Sequence, residues 1–227
     1  GKDQRVTKKD ILTFINNRSS AEIFVNEKPI QNFDSKTIAA ETADDTQGIS
    51  LTGNDQIHEM TRMEKLIATR MKSSIQTAAH VQSFIEVDVT NLWNWREEAK
   101  NAFQKRENEK LTFTPLFMTA IIKALRDYPE LNSTIQGEKI IIKQAINLGM
   151  ATSLSDGNLI VPVIKNADYF NLVGLAKAVN DLAKRSRNNA LKPDEVQDGT
   201  YTFTNIGNFG SIMGTPIINQ PQVGILA

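Results

Sequence analysis

Two threonines near the end of the chain have the chemistry to stabilise a developing negative charge. Thr202 and Thr204 alternate with Tyr201 and Phe203, so a β-strand would place both hydroxyls on one side. A hydroxyl aimed at a developing oxyanion can contribute about 3 to 4 kcal/mol of transition-state stabilisation. Threonine is also frequent in strands for its β-propensity alone. The spacing therefore leaves a catalytic and a structural interpretation open.

The segment after these threonines is rich in glycine and asparagine. It contains Asn205, Gly207, Asn208, Gly210 and Gly214, whose backbone amides could cradle an anion. A P-loop needs a lysine and a hydroxyl residue directly after its last glycine, and here Thr-Pro follows instead. We therefore do not expect nucleotide phosphate here. The glycines indicate a backbone that runs close to another chain or to a ligand.

The two histidines, His58 and His80, are the residues most suited to general-base chemistry near neutral pH. His80 begins a strand-like run just after a predicted helix, where an imidazole commonly satisfies backbone groups, so we predict a structural role. His58 is expected at the surface. Neither has a serine or aspartate at a spacing typical of a catalytic triad. The chain has no cysteine, which excludes disulfides, thiolate metal sites and a cysteine nucleophile, and we predict no metal site.

Composition narrows the class of protein further. The 26 basic and 26 acidic residues give a formal net charge of zero, so no global field favours nucleic acid or an anionic membrane. No apolar run approaches the roughly 18 residues that a membrane span needs. With 40% hydrophobic residues the chain can form a globular core.

The chain divides into three regions. Residues 1–18 hold a capping-box-like pair, Thr7 with Asp10, that opens a short amphipathic helix. Residues 19–57 are rich in carboxylates and lack an apolar period, which predicts a flexible acidic linker. Residues 58–227 show regular patterns, and together these predict helices packed on a mixed sheet without regular βα alternation.

Within the third region the patterns predict several elements. The helices are indicated by an apolar stripe every four residues, by Thr90 as a cap, by Thr114 followed by Pro115, and by Asn171 as a start. The strand candidates are the run HVQSFIEVDV from His80, residues 139–143, 146–152 and 159–164, TYTFTN from Tyr201, and the closing apolar run VGILA.

Four stretches, in order, resemble a known family. They are RMEKLIATRMKSS, AHVQSFIEVDVTNLWNWR, LIVPVIKNAD and GTYTFTNIGNFGSIMGTPIINQPQVGILA. They are similar to the catalytic domain of the dihydrolipoyl acyltransferase (E2) component of 2-oxo acid dehydrogenase complexes, over residues 58–227. The start, GKDQRVTKKDIL, is similar to the second half of the peripheral subunit-binding domain, and we assign residues 1–18 to that half domain on this resemblance. Gln4 stands where the family usually has glycine.

The resemblance implies a fold and an activity. The fold is α/β, a chloramphenicol acetyltransferase-like mixed sheet flanked by helices, incomplete here at its C-terminus. The activity is transfer of an acyl group from S-acyl-dihydrolipoamide to coenzyme A, with lipoamide carried on a lipoyl domain that is not in this chain. Trimers are expected to build a 24-mer or 60-mer core. By the same resemblance Thr204 takes the role of the oxyanion hydroxyl, at a position where many relatives have serine.

The family's general base is the histidine of a DHR-x-x-DG motif, which follows the apolar strand. Residue 227 is reached before that motif, and neither histidine of the chain matches its position. Because attack by a thiol near neutral pH gains from a base that removes its proton, we expect the chain as printed to be nearly inactive.

The resemblance also suggests partners and a substrate class. The run from His80 looks closer to branched-chain or pyruvate members than to succinyltransferases, and we expect the branched-chain type ahead of the pyruvate type. The alternative is a noncatalytic scaffold that only binds E1 or E3 components. Arg5, Lys8 and Lys9 form a basic patch that suits an acidic partner surface, unless it is simply a solvated helix start. The expected compartment is a bacterial cytoplasm or a mitochondrial matrix.

Overall fold

A computed structural model describes residues 53, 55–154 and 157–227. Backbone contacts group Ile57–Ala227 into one compact unit, and the account below concerns that unit. The predicted subunit-binding helix of residues 1–18, with Arg5, Lys8 and Lys9, lies outside the described residues, and so does nearly all of the predicted linker.

Four α-helices of the described residues are α1 (Arg62–Thr77), α2 (Thr90–Glu107), α3 (Phe113–Asp127) and α4 (Leu172–Arg187). Helix α1 opens with a capping box, in which Thr61 and Glu64 each bond the other's backbone N–H. Helix α4 opens at Asn171, whose side chain accepts from the Gly174 N–H at 2.9 Å. Short 3₁₀ turns cover Pro129–Asn132, Ala167–Tyr169, Pro193–Val196 and Ile206–Phe209.

The strands form a mixed sheet and two small ribbons. They are β1 Ser133–Gln136, β2 Lys139–Ile142, β3 Leu148–Met150, β4 Thr152–Ser153, β5 Leu159–Ile160, β6 Val163–Ile164, β7 Tyr201–Phe203 and β8 Ile225–Leu226. The sheet has the order β6–β3–β7–β8, in which β3 is antiparallel to β6 and parallel to β7, and β7 is parallel to β8. One ribbon pairs β1 with β2 and the other pairs β4 with β5.

The core forms where α3 and α4 pack against each other and against the sheet. Met118 of α3 and Leu148 of β3 have no exposed surface, and Leu175 of α4 has 1%. Burial of each such side chain contributes about 1.5 to 3 kcal/mol of hydrophobic stabilisation. This packing fixes the central strands, including β7. The predicted α/β class, helices on a mixed sheet, is confirmed.

Two predicted features differ in the structure. The run from His80 to Val89 contains no strand in the described chain, and its apolar side chains are largely exposed, Val81 by 90% and Ile85 by 88%. The predicted apolar stripe with a period of four lies on α1 and consists of Met63, Ile67, Met71 and Ile75. It is also largely exposed, with Met63 at 49% and Ile75 at 58%, while Ile67 is partly buried. A periodic pattern of apolar residues predicts which side chains share a face of an element. It does not predict whether another element of the same unit covers that face.

Several boundaries also shift. Helix α3 begins at Phe113, so Thr114 and Pro115 lie inside its first turn rather than at its cap. Thr90 is the first residue of α2 rather than its cap, and its N–H donates to the Asp88 carboxylate at 2.8 Å. Strand β1 was not predicted, because its burial pattern places two buried residues before two exposed ones and so lacks the alternation of period two.

Helices in the described part of the chain are all too short or too polar to cross a membrane. Over the same residues, His, Asp and Glu side chains nowhere gather in a group of three that could hold a metal ion.

Candidate functional site

Thr204 lies directly after β7, at the point where the chain leaves the mixed sheet. Its N–H still bonds the Leu226 carbonyl of β8 at 2.8 Å. The preceding residue, Phe203, is buried, and its ring centre lies 6.3 Å from that of Phe117 in the core. Thr204 is therefore anchored on two sides while its side chain is only partly buried. Within the described residues its hydroxyl makes no hydrogen bond.

Thr202 has a different environment from Thr204. It is 1% exposed, and its Oγ1 donates to Oε1 of Gln222 at 2.6 Å. Gly149 on β3 leaves room for this hydroxyl, since a Cβ there would lie 3.1 Å from Thr202 Oγ1. The strand alternation predicted both hydroxyls on one side of a strand, but in the structure the two hydroxyls have different surroundings. Of the two, Thr204 has the hydroxyl that a ligand could reach.

The loop that follows Thr204 folds back on itself. The side chain of Asn205 accepts from the Gly207 N–H at 3.1 Å and opens a 3₁₀ turn, which ends at Gly210 with a φ of 76°. Gly214 then packs against Ile206, because a Cβ at residue 214 would lie 2.8 Å from Ile206 Cδ1. Glycine at 214 thus allows a close approach within the chain itself, while the predicted approach to another chain or a ligand stays a prediction.

Three large apolar side chains stand exposed on this loop. They are Phe209 at 64%, Ile212 at 94% and Met213 at 68%. The loop thus presents an apolar surface next in sequence to a hydroxyl without a partner in the described residues. A substrate with an apolar arm and a reactive carbonyl has groups that would suit both features.

The segment after the loop is held by two side chains, one from the last turn of α1 and one from just beyond the helix. The Ile218 N–H donates to Nε2 of His80 at 3.0 Å, and the Ile218 carbonyl accepts from Oγ of Ser74 at 2.6 Å. The carboxamide of Gln220 adds a bond to Ser74 Oγ at 3.3 Å. Nδ1 of His80 bonds the Ala78 carbonyl at 2.9 Å. Both ring nitrogens of His80 are thus engaged with backbone groups, as the predicted structural role requires.

Tyr201 is the titratable residue of β7, the strand that precedes Thr204. Tyr201 on β7 has a raised pKa, because burial disfavours the phenolate. Its ring packs on Gly224, where a Cβ would lie 2.9 Å from Tyr201 Cε2. His58, the other sequence candidate for a base, is exposed. The described residues therefore place a hydroxyl donor at this position without a titratable base bonded to it.

Two open cavities lie elsewhere, one along α4 and the other mainly along α3. One, of about 350 Å³, is lined by Arg185 and Glu195 among others. The Arg185 guanidinium contacts Glu195 at 2.6 Å and lowers the pKa of that carboxyl to about 2. The other, of about 380 Å³, is lined by Arg126 and Asp168 among others. Neither cavity is lined by Thr204.

Sequence reasoning missed two residues of this arrangement, Ser74 and Gln222. Gln222 carried a weak signal, since it stands directly before the apolar run VGILA that leads into β8, and a polar side chain that is buried there requires a partner. Ser74 carried no comparable signal. A serine in the last turns of a helix is ordinarily solvated.

Comparisons with known proteins agree over most of the chain. The family model for the 2-oxoacid dehydrogenases acyltransferase catalytic domain matches residues 52–227. A Bacillus subtilis protein named dihydrolipoyllysine-residue succinyltransferase component of 2-oxoglutarate dehydrogenase complex is 42% identical over 171 residues, 75% of this chain and 41% of its own length. The lipoamide acyltransferase component of the branched-chain alpha-keto acid dehydrogenase complex of B. subtilis is 37% identical over 230 residues, 100% of this chain and 53% of its own length.

Solved structures have the same fold. A probable dihydrolipoamide acetyltransferase from Listeria monocytogenes superimposes with a TM-score of 0.74 at 38% identity, covering 77% of this chain and 74% of that one. The cubic core of the pyruvate dehydrogenase multienzyme complex gives a TM-score of 0.72 at 30% identity, over 88% of this chain and 76% of that one. The chain spans about half the length of these two curated relatives.

Proposed function

We propose that this chain, which belongs to the family of 2-oxoacid dehydrogenase acyltransferase catalytic domains, comes from a protein that transfers an acyl group from S-acyl-dihydrolipoamide to coenzyme A. In this proposal Thr204 supplies the oxyanion hydroxyl. The observation that supports the role is the partly buried Thr204 side chain at the end of β7, whose hydroxyl makes no hydrogen bond within the described residues.

The reaction exchanges one thioester for another. The thiol of coenzyme A loses its proton to a general base, and its sulfur attacks the carbonyl carbon of the acyl-dihydrolipoamide thioester. The carbonyl oxygen then carries negative charge in a tetrahedral intermediate. When the intermediate collapses, the carbon–sulfur bond to dihydrolipoamide breaks, and that sulfur takes up a proton. The barrier falls if a fixed donor meets the oxygen while its charge develops.

Thr204 suits this donor role because its backbone is fixed before the substrate arrives. The N–H of Thr204 is held by β8 and the residue before it is packed in the core, so aiming the hydroxyl requires only rotation about χ1. A preorganised donor of this kind contributes roughly 10² to 10³ in kcat. Threonine also carries a methyl group that restricts χ1, which reduces the number of directions in which the hydroxyl points.

His80 is poorly suited to act as the general base of this reaction. Its Nε2 accepts from the Ile218 N–H and its Nδ1 bonds the Ala78 carbonyl, so proton abstraction would require one of these bonds to break. The family resemblance assigns the base instead to the histidine of a DHR-x-x-DG motif, whose position neither His58 nor His80 matches. Thr204 then supplies one half of the site and that histidine the other.

The proposed acyl group is of the branched-chain type. Support comes from the relative at 37% identity that aligns with the whole chain and is named for the branched-chain complex, and from the exposed apolar residues after Thr204. A relative at 42% identity over the catalytic region is named a succinyltransferase. Since that acyl group carries a carboxylate, the two types differ in charge, and a direct comparison of substrates discriminates between them.

Self-assembly and partner binding complete the proposal. The exposed apolar side chains on α1 and on the run from His80 to Val89 are suited to burial against further copies of the chain, in trimers that build a larger core. Binding of E1 or E3 components is proposed for residues 1–18, where Arg5, Lys8 and Lys9 would meet an acidic surface.

The experiment that tests the proposal measures acyl-coenzyme A formation by the full-length protein. Isobutyryl, acetyl and succinyl thioesters of dihydrolipoamide are supplied in parallel with coenzyme A. We expect acyl-coenzyme A to form when both the thioester and coenzyme A are present, with the highest kcat/KM for the isobutyryl group. If a folded protein that still binds E1 or E3 shows no turnover with any acyl group, the proposed acyltransferase activity is rejected in favour of a noncatalytic scaffold. A preference for succinyl would overturn the acyl type alone.

A further inference from the structure

We infer that His80 is a positioning residue for the acyl-transfer site, acting on Thr204 through the backbone of residues 214–222. This inference rests on the proposed function and adds to it a residue that touches neither the acyl group nor the thiol. The contacts that carry it form a continuous path from the end of α1 to both sides of Thr204.

The path begins at Ile218, whose two backbone polar groups are both held by side chains. Its N–H donates to Nε2 of His80 at 3.0 Å, and its carbonyl accepts from Oγ of Ser74 at 2.6 Å. Ser74 is 2% exposed, so these bonds are shielded from competition with water. The two side chains take the place that a neighbouring strand would have in a sheet, and they fix residue 218 relative to α1.

The held segment contacts the chain on each side of Thr204. Two residues before Thr204, the hydroxyl of Thr202 donates to the Gln222 carboxamide at 2.6 Å. Two residues after it, Ile206 packs against Gly214 so closely that a Cβ at 214 would lie 2.8 Å from its Cδ1. Thr204 is thus bracketed by contacts with a single segment. A displacement of residues 214–222 would move the backbone that aims the hydroxyl.

The hydrogen bonds also define which ring atom of His80 matters. A backbone N–H can only donate, so Nε2 must be the acceptor for Ile218, and Nδ1 then carries the proton that is donated to Ala78. An acceptor at the Nε2 position is therefore the feature of His80 that holds Ile218. A side chain that keeps this acceptor should keep the position of the segment.

Two substitutions separate the ring atoms. In His80→Gln the side-chain carbonyl reaches the Nε2 position and retains an acceptor for Ile218. In His80→Asn the shorter amide reaches only the Nδ1 position, so the Ile218 N–H loses its acceptor. We expect amide hydrogen exchange at Ile218 to become about tenfold faster or more in His80→Asn and to stay near wild type in His80→Gln, because exchange reports local opening.

Activity is then measured on the same full-length proteins. We expect His80→Asn to lower kcat by about tenfold to a hundredfold with little change in KM, since a small misplacement of a catalytic group has effects of this size. His80→Gln should recover kcat to within a few-fold of wild type. Ser74→Ala removes the bond to the Ile218 carbonyl and the weaker one from Gln220. It should also lower kcat, and it serves as the test if His80→Asn does not fold.

The final test places the same substitution in a Thr204→Val background. If His80 acts by aiming the Thr204 hydroxyl, His80→Asn has little further effect on kcat once that hydroxyl is gone. Equal fold losses in both backgrounds would overturn the inference and leave the proposed function standing. Unchanged exchange at Ile218 in His80→Asn would overturn it as well. Failure of the wild-type protein to transfer any acyl group would instead overturn the proposed function and this inference with it.

Discussion

The buried hydrogen bond between Thr202 and Gln222 gives a sharp prediction for stability. Thr202→Val keeps the shape of the side chain but removes the hydroxyl that donates to Gln222 Oε1 at 2.6 Å. Thr202 is 1% exposed and Gln222 5%, so water cannot readily replace the lost donor. An unsatisfied buried acceptor of this kind costs about 1 to 3 kcal/mol. We therefore expect Thr202→Val to lower the free energy of unfolding by about 2 kcal/mol.

The assay is urea denaturation followed by tryptophan fluorescence. The sequence has two tryptophans, and both, Trp93 and Trp95, lie in α2 of the described unit. Thr69→Val is the matched control, because its hydroxyl bonds the Lys65 carbonyl at 2.8 Å on an exposed face of α1. Water can solvate that carbonyl in the variant, so the control should cost less than about 0.5 kcal/mol.

A double-mutant cycle tests the cause of the loss. In Thr202→Val with Gln222→Met both polar groups are removed and the volumes are nearly kept, so no buried acceptor remains unpaired. We expect the double variant to be less destabilised than the sum of the single variants by about 1 to 2 kcal/mol. Additive losses, or a Thr202→Val variant as stable as Thr69→Val, would refute the reasoning.

Three further predictions follow from contacts elsewhere in the unit. Arg185 lowers the pKa of Glu195 from 4.5 to about 2, so the pair stabilises the fold above pH 4.5 and this contribution is lost as the pH falls towards 2. Between pH 4.5 and pH 2 the free energy of unfolding should therefore fall by about 1 kcal/mol less in Glu195→Gln than in the wild type, a figure that allows for solvent screening of the pair. Urea titrations across that pH range measure the difference. Gly149→Ala should cost about 1 to 3 kcal/mol, because its Cβ would lie 2.9 Å from Val161 Cγ1; an unchanged urea midpoint would contradict it. Thr61→Ala should cost about 1 kcal/mol through the lost cap of α1, and equal thermal midpoints would show that the cap contributes nothing.

Elements whose sequence signals are local agree with the structure. Asn171 begins α4 as a cap because its own side chain accepts from an N–H three residues on. The alternation of TYTFTN predicts β7, which the structure places at Tyr201–Phe203. The helix-on-sheet architecture follows from the same patterns, since the apolar faces of α3 and α4 need a sheet to cover them.

Features that depend on distant partners were not accessible from one sequence. The run from His80 has the alternation of a strand, yet the described residues supply no strand beside it. The bond between Thr202 and Gln222 joins residues 20 apart, and the bond between His80 and Ile218 joins residues 138 apart. No local pattern records such pairings. They follow from the path of the backbone, which the sequence alone does not reveal.

The sequence alone predicted part of the candidate site. The strand period selected two threonines, and the family resemblance selected Thr204. The structure adds an independent reason, because Thr202 uses its hydroxyl inside the protein whereas Thr204 has no such partner in the described residues. The catalytic role itself stays a prediction.

The most direct measurement is therefore kcat for acyl transfer by the full-length protein with Thr204→Val and with Thr204→Ser. Valine keeps the shape and removes the donor, whereas serine keeps the donor and removes the methyl group. We expect valine to lower kcat by about 10² to 10³, with a much smaller change in KM, and serine to retain kcat within about tenfold of wild type. A folded Thr204→Val protein that turns over as fast as wild type would contradict the assignment of the oxyanion hydroxyl to Thr204.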